Sequence, residues 1–103
     1  MKEQLIRTLK KAVDLLAACN LPSRADWFNS RMDVIQSDAT SPELFDKTVR
    51  EIRGIIAGMG SFTDLSLVPS RTSALTEETA RRLQWEIADE LDEATAGLIK
   101  KVS

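Results

Sequence analysis

The chain has no histidine and no tyrosine, and only one cysteine, Cys19, among its 103 residues. Without an imidazole it lacks the commonest general base and the commonest transition-metal ligand. A Ser–His–Asp or Cys–His site cannot be assembled from this chain, and one cysteine without histidine is a poor basis for zinc. A lone cysteine also excludes an internal disulfide, which fits a reducing compartment. No run approaches the roughly 20 apolar residues of a membrane span. The opening Met1-Lys2-Glu3-Gln4 lacks the unbroken apolar core of a secretory leader. The expectation from these absences is a cytoplasmic protein without catalytic residues, metal, cofactor or membrane attachment. Lys and Arg number 14 against 16 Asp and Glu, a net charge of −2. A polyanion-binding surface usually shows a basic excess, so nucleic acid is not an expected partner.

What is present suits a folded core. Hydrophobic residues make up 43% of the chain and charged residues 29%, values that argue for one ordered domain over residues 1–103. Leu5, Leu9, Ala12, Leu16 and Cys19 recur at helical spacing over Lys2–Cys19. Ile6, Val13 and Ala17 widen that stripe on one side and Leu15 on the other. Asn20-Leu21-Pro22 ends the helix. Ser23 is the expected cap of a second helix over Arg24–Gln36, with Phe28, Met32 and Ile35 inward and Trp27 and Val34 on one shoulder. Ser41-Pro42-Glu43 is a strong helix start: a capping hydroxyl, a proline suited to the first position, and a carboxylate at the positive end. The third helix carries Leu44, Phe45, Val49, Ile52, Ile55, Ile56 and Met59 on one predicted face. Gly58-Met59-Gly60 closes it.

Phe62–Val68 partly alternates, which predicts a short extended segment lying over the helices with its apolar side chains inward. Thr76 is the expected cap of the last helix. Ala80, Leu83, Ile87, Leu91, Ala94 and Leu98 are its core stripe, and Glu77–Arg81 and Glu78–Arg82 are spaced as pairs four apart. From Glu77 to Lys101 this helix would span about 38 Å, so one end is expected to project or to pack on a second copy. The fold class predicted is therefore all-α, a compact four-helix domain with one short extended or loop segment between helices 3 and 4.

Two regions are candidate functional sites. Trp85 falls off the core stripe of the last helix, roughly opposite Ile87 and Leu91. It lies under another segment of the chain, meets another chain, or is simply exposed. Near it Glu86, Asp89, Glu90, Asp92 and Glu93 form a dense acidic set, read as a solvated face, a docking strip for a basic partner, or, less suitably, a cation site. Trp85 with these five carboxylates is the expected partner-binding surface. The second region is the loop Gly58, Gly60, Ser61, Phe62 and Asp64. Its glycines fit a helix C-cap with a chain reversal better than a phosphate cradle, because phosphate loops precede a helix and this one follows one. Asp64 either bonds nearby backbone or serves, with Ser61, as a polar group of a pocket between the third helix and Phe62–Leu67. Cys19 is read as a core residue, since burial and a helix C-terminus both work against a reactive thiolate.

The run Gly58-Met59-Gly60-Ser61-Phe62-Thr63-Asp64-Leu65 resembles a signature of a family of small bacterial helical proteins of unknown function. Their string reads glycine-glycine-methionine-glycine-serine-phenylalanine-asparagine-aspartate. Ala25-Asp26-Trp27-Phe28 is similar to their second helix. The chain departs from the pattern at Ala57, where the family tends to have glycine, and at Thr63, where it tends to have asparagine. The resemblance implies a compact helical domain of about this length and no established reaction. Short acidic bacterial proteins of this kind include toxin-neutralising immunity proteins, which by analogy suggests a protein partner. The functional expectation is a protein-interaction domain that binds or neutralises a partner. The alternatives are a homo-oligomeric structural protein (a homodimer) and a small-molecule binder or enzyme using the Gly58–Leu67 region.

Overall fold

Each predicted helix is present. A computed structural model describes residues 2–57, 62, 65, 67–69 and 74–100. Helix α1 spans Lys2–Ala18, α2 Pro22–Gln36, α3 Pro42–Ala57 and α4 Glu77–Lys100. The result is a compact all-α domain, with no strand among the described residues. Backbone contacts run α1–α2, α2–α3, α3–α4 and α4–α1, and the diagonal pairs make no close approach among the described residues. The helices therefore form a ring, with α1–α2 the most extensive seam and α2–α3 the thinnest. Neighbours are antiparallel. Lys2 and Leu98 line one hollow while Leu15, Leu83 and Ile87 line another, and Arg31 of α2 reaches Glu51 of α3 at 2.9 Å.

The turn between α1 and α2 shows why a short connection suffices. Asn20 adopts a left-handed backbone with φ 59°, which asparagine tolerates better than most residues. This lets Leu21 N–H reach the Leu16 carbonyl at 2.9 Å and Asn20 N–H reach Ala17 at 3.1 Å. The paired bonds satisfy carbonyls that a helix end otherwise leaves open. The next helix then starts earlier than expected. Pro22 is its first residue, Leu21 occupies the cap position without a side-chain bond, and Ser23 already lies inside α2. A proline with its φ preset for helix removes the need for a capping hydroxyl there.

The other two starts follow their sequence signals. Leu44 N–H donates to Ser41 Oγ at 3.2 Å, and Thr79 N–H donates to Thr76 Oγ1 at 3.1 Å. Substituting either cap by alanine is expected to cost about 1 kcal/mol. On a domain of this size that lowers the midpoint of thermal unfolding by roughly 4–8 °C, measurable by circular dichroism. An unchanged midpoint in both variants would contradict the capping roles.

The core gathers Leu5, Leu9 and Leu16 of α1, Phe28 and Ile35 of α2, Val49 and Ile52 of α3, and Ile87 and Leu91 of α4, all buried. Several flanks differ from expectation. Ala17 is exposed, whereas Thr8 is buried on the opposite side of the α1 stripe. On α3, Leu44 is left 44% exposed while Thr48 is buried. The wheel reads threonine as polar, yet Thr8, Thr48 and Thr95 each donate their hydroxyl to the carbonyl four residues earlier, at 2.8, 2.8 and 2.7 Å. A hydroxyl satisfied within its own helix can then pack as a small apolar residue. The expected pairs Glu77–Arg81 and Glu78–Arg82 do not form. Arg82 instead approaches Glu86 at 4.0 Å, in keeping with the small free energy of exposed ion pairs. Neither end of α4 stands off as a lone helix among the described residues: Ala80 is buried near its start, and Leu98 and Ile99 pack against the core near its end. Nor is a second copy required to cover them.

The described residues of the connection between α3 and α4 include no strand. Leu65 N–H faces the Phe62 carbonyl at 3.4 Å. Phe62 is 1% exposed and Leu67 is also buried, but Val68 points outward. The Phe62 ring meets Phe28 edge-on at 5.6 Å, and Phe28 meets Trp27 edge-on at 5.0 Å, the geometry that aromatic quadrupoles favour.

Candidate functional site

The outer face of α4 carries the exposed aromatic. Trp85 is 55% exposed, so it is not covered by the segment around Phe62–Val68. The contrast with Trp27 is instructive. Trp27 is half-buried, stacked against Phe28, and covered by the Arg31 guanidinium at 4.3 Å from its ring centre. Among the described residues Trp85 has no ring contact of either kind. Because α4 packs against both α1 and α3, Trp85 stands on a backbone held from both sides.

The five predicted carboxylates do not form one strip. Glu90 turns toward α1, where Lys11 Nζ lies 3.2 Å from both of its carboxylate oxygens and Thr8 Oγ1 lies 3.4 Å away. Asp92 turns toward α3, with Arg53 Nη1 at 3.3 Å from Oδ1. The same guanidinium donates to the Asp92 carbonyl at 3.1 Å and to Thr95 Oγ1 at 3.2 Å. Glu90 thus braces α4 against α1 at the margin of the face, while Asp92 reaches Arg53 of α3 with its side chain still 63% exposed. Among the described residues Glu86 has only the distant Arg82, and Asp89 and Glu93 are exposed and make no ion pair. The open part of the face is therefore Trp85 with Glu86, Asp89 and Glu93, bordered by Arg81 and Arg82. A straight helix spreads these carboxylates, and the described residues contain no group of three ligands placed to hold a metal ion.

The second predicted site is described only in part. Gly58, Gly60, Ser61 and Asp64 lie outside the described residues, so the polar roles assigned to Ser61 and Asp64 lie there too. Phe62 is a core side chain. The hollow beside it, lined by Arg24, Trp27, Phe28, Ile55 and Leu65, is about 30 Å³, room for about one water molecule. Beside a hollow of about 200 Å³ between α2 and α3, two larger ones open elsewhere. One of about 340 Å³ lies where Lys2, Asp38, Phe45 and Leu98 meet. The other, about 320 Å³, is a groove between α1 and α4 floored by Leu15, Leu75, Leu83 and Ile87. Cys19 is buried, and that burial raises its thiol pKa, which holds it in the unreactive form.

The residue that the periodicity left out is Gln84. It is 3% exposed, and its side-chain amide donates to the Phe62 and Leu65 carbonyls, both at 2.8 Å. It pins the α3–α4 connection onto α4 one residue before Trp85. A signal existed: Gln84 stands four after Ala80 and three before Ile87, on the apolar face, and a glutamine there needs buried partners.

No family model, curated protein or solved structure compared with the chain matches it. The class of the molecule is thus given by its fold, a four-helix all-α domain, and no helix among the described residues is long and apolar enough to cross a membrane.

Proposed function

We propose that this domain binds another polypeptide through the outer face of α4, with Trp85 as its anchor, and carries out no reaction of its own. The exposure of Trp85, 55% on a helix otherwise well covered inward, carries the reading. A tryptophan in water within a rim of arginines and carboxylates has the composition of an interface hot spot. Leu44 and Val68, the other large hydrophobics exposed among the described residues, are aliphatic and lie on other elements. The chain also offers no imidazole, and its one thiol is buried, which favours binding over chemistry.

A Trp85→Ala variant tests this. Its thermal midpoint should stay close to wild type, since an exposed helix position moves stability by about 0.5 kcal/mol or less. Affinity for a captured partner should fall by at least about 30-fold, the effect of losing a hot-spot residue worth about 2 kcal/mol. Leu44→Ala should leave capture unchanged. A photoreactive residue at position 85 should cross-link to the same partner. Capture that survives Trp85→Ala but fails with Leu44→Ala would place the surface elsewhere.

A further inference from the structure

We infer that the polypeptide recognised by the outer face of α4 is a second copy of this chain, laid antiparallel across α4 about a two-fold axis near Glu86. This rests on the reading above that the face is a contact surface, and it names the occupant.

The charges on this face are sorted along the helix. Arg81 and Arg82 precede Trp85, and Asp89 and Asp92 follow it. A helix turns about 100° and rises about 1.5 Å per residue. Relative to Trp85, Arg81 and Asp92 then lie to one side, by about 40° and 20°, and Arg82 and Asp89 lie to the other, by about 60° and 40°. An antiparallel two-fold axis inverts height along the helix and preserves side. With the axis near Glu86, Arg81 comes opposite Asp92 of the copy and Arg82 opposite Asp89, each level to within about 1.5 Å. The two Trp85 rings come within about 3 Å of level at the centre. Symmetry doubles each match, so four opposite-charge pairs flank an aromatic centre.

The parallel arrangement is excluded by the same arithmetic, because it sets arginine beside arginine and aspartate beside aspartate. The monomer leaves these groups available. Among the described residues Arg81 and Asp89 make no ion pair, and Arg82 reaches Glu86 only at 4.0 Å. The Asp92 side chain is 63% exposed despite its contact with Arg53. Glu78, on the same face, falls about 12 Å from the axis, where helices crossing at the usual angles have diverged. One helix-on-helix contact is smaller than the roughly 1,200–2,000 Å² of a stable interface, so the dimer should be weak, with Kd on the order of 10–100 µM.

Sedimentation velocity of the full chain from about 5 to about 500 µM covers that range. The expected result is a reversible monomer–dimer equilibrium that weakens as salt screens the pairs. Arg82→Asp should raise Kd at least about tenfold, because it sets two acidic residues against each other on both sides of the axis. Adding Asp89→Arg to that variant should bring Kd back to within about threefold of wild type, since the pair is then restored with its charges exchanged. A wild type that stays monomeric overturns the second copy as occupant and leaves the wider reading to the Trp85→Ala capture test. A dimer insensitive to Arg82→Asp overturns the face. A dimer that Arg82→Asp weakens and Asp89→Arg fails to restore overturns the antiparallel register.

Discussion

Replacing Phe62 by alanine is expected to lower the unfolding free energy by about 3–5 kcal/mol. Phe62 is 1% exposed and reaches inward from the α3–α4 connection, where its ring contacts Phe28 edge-on at 5.6 Å. Truncation removes a buried aromatic and opens a void beside a hollow of about 30 Å³. Leu65 lines that hollow on a backbone that Gln84 holds, and Ile55 lines it from α3, so neither collapses into it without moving main chain. A domain of this size has a total stability of about 5–15 kcal/mol, so the variant loses a large share of it. Its thermal midpoint should fall by roughly 15–30 °C. Urea titration followed by circular dichroism measures the change directly. A loss below about 1 kcal/mol would show that the connection is not part of the cooperative core. Phe62→Leu, which keeps most of the volume, should cost much less.

Gln84 should be nearly as sensitive, and its sensitivity should depend on pH. Its amide supplies both bonds that fasten the Phe62 and Leu65 carbonyls, at 2.8 Å each. Gln84→Leu keeps the packing but removes both amide donors, leaving the Phe62 carbonyl with only the longer Leu65 N–H contact at 3.4 Å, at a cost of about 2–4 kcal/mol. Gln84→Glu replaces the donors by a carboxylate that faces two acceptors in a buried site. Only the protonated acid can donate there, so the folded state holds the proton more tightly than the unfolded chain and raises this carboxyl's pKa. Between the unfolded value, about 4.3, and the raised folded one, the folded form binds more protons. Stability therefore falls as pH rises through that window. The variant should be nearest to wild type below about pH 4 and markedly destabilised at neutral pH. Urea midpoints of the variant and wild type, compared from acid to neutral pH, give the test. A pH-independent difference between them would mean that the side chain does not face those carbonyls.

Both predictions concern a part of the molecule that periodicity described poorly. The four helices were legible because each buries one stripe, and the stripes of Leu5-Leu9-Leu16 and Ile87-Leu91 can be counted on a wheel. The Ser41 and Thr76 caps were legible because capping is a local bond between neighbours in sequence. Ser23 misled because a proline at the preceding position starts a helix by itself. Over Phe62–Val68 alternation across so few residues does not distinguish a strand from a loop whose side chains find separate niches, and the described residues there form no strand.

The acidic set of α4 shows the same boundary. Its residues are neighbours in sequence, and nothing in their spacing says which of them a neighbouring helix engages. Lys11 and Arg53, far along the chain, engage Glu90 and, with its side chain still largely exposed, Asp92. What remains open, Trp85 with Glu86, Asp89 and Glu93, could be separated from the rest only once the ring of helices was closed.

The sequence by itself determined that this chain is helical, where its helices lie, and that histidine-based chemistry is absent, because these depend on residue identity and on interactions a few positions apart. Only the tertiary structure decided that Trp85 faces water, that Gln84 latches the α3–α4 connection, and which carboxylates are engaged. Each of those outcomes depends on which distant side chains arrive at the same place. That is set by how four helices pack together, and no single helix encodes it.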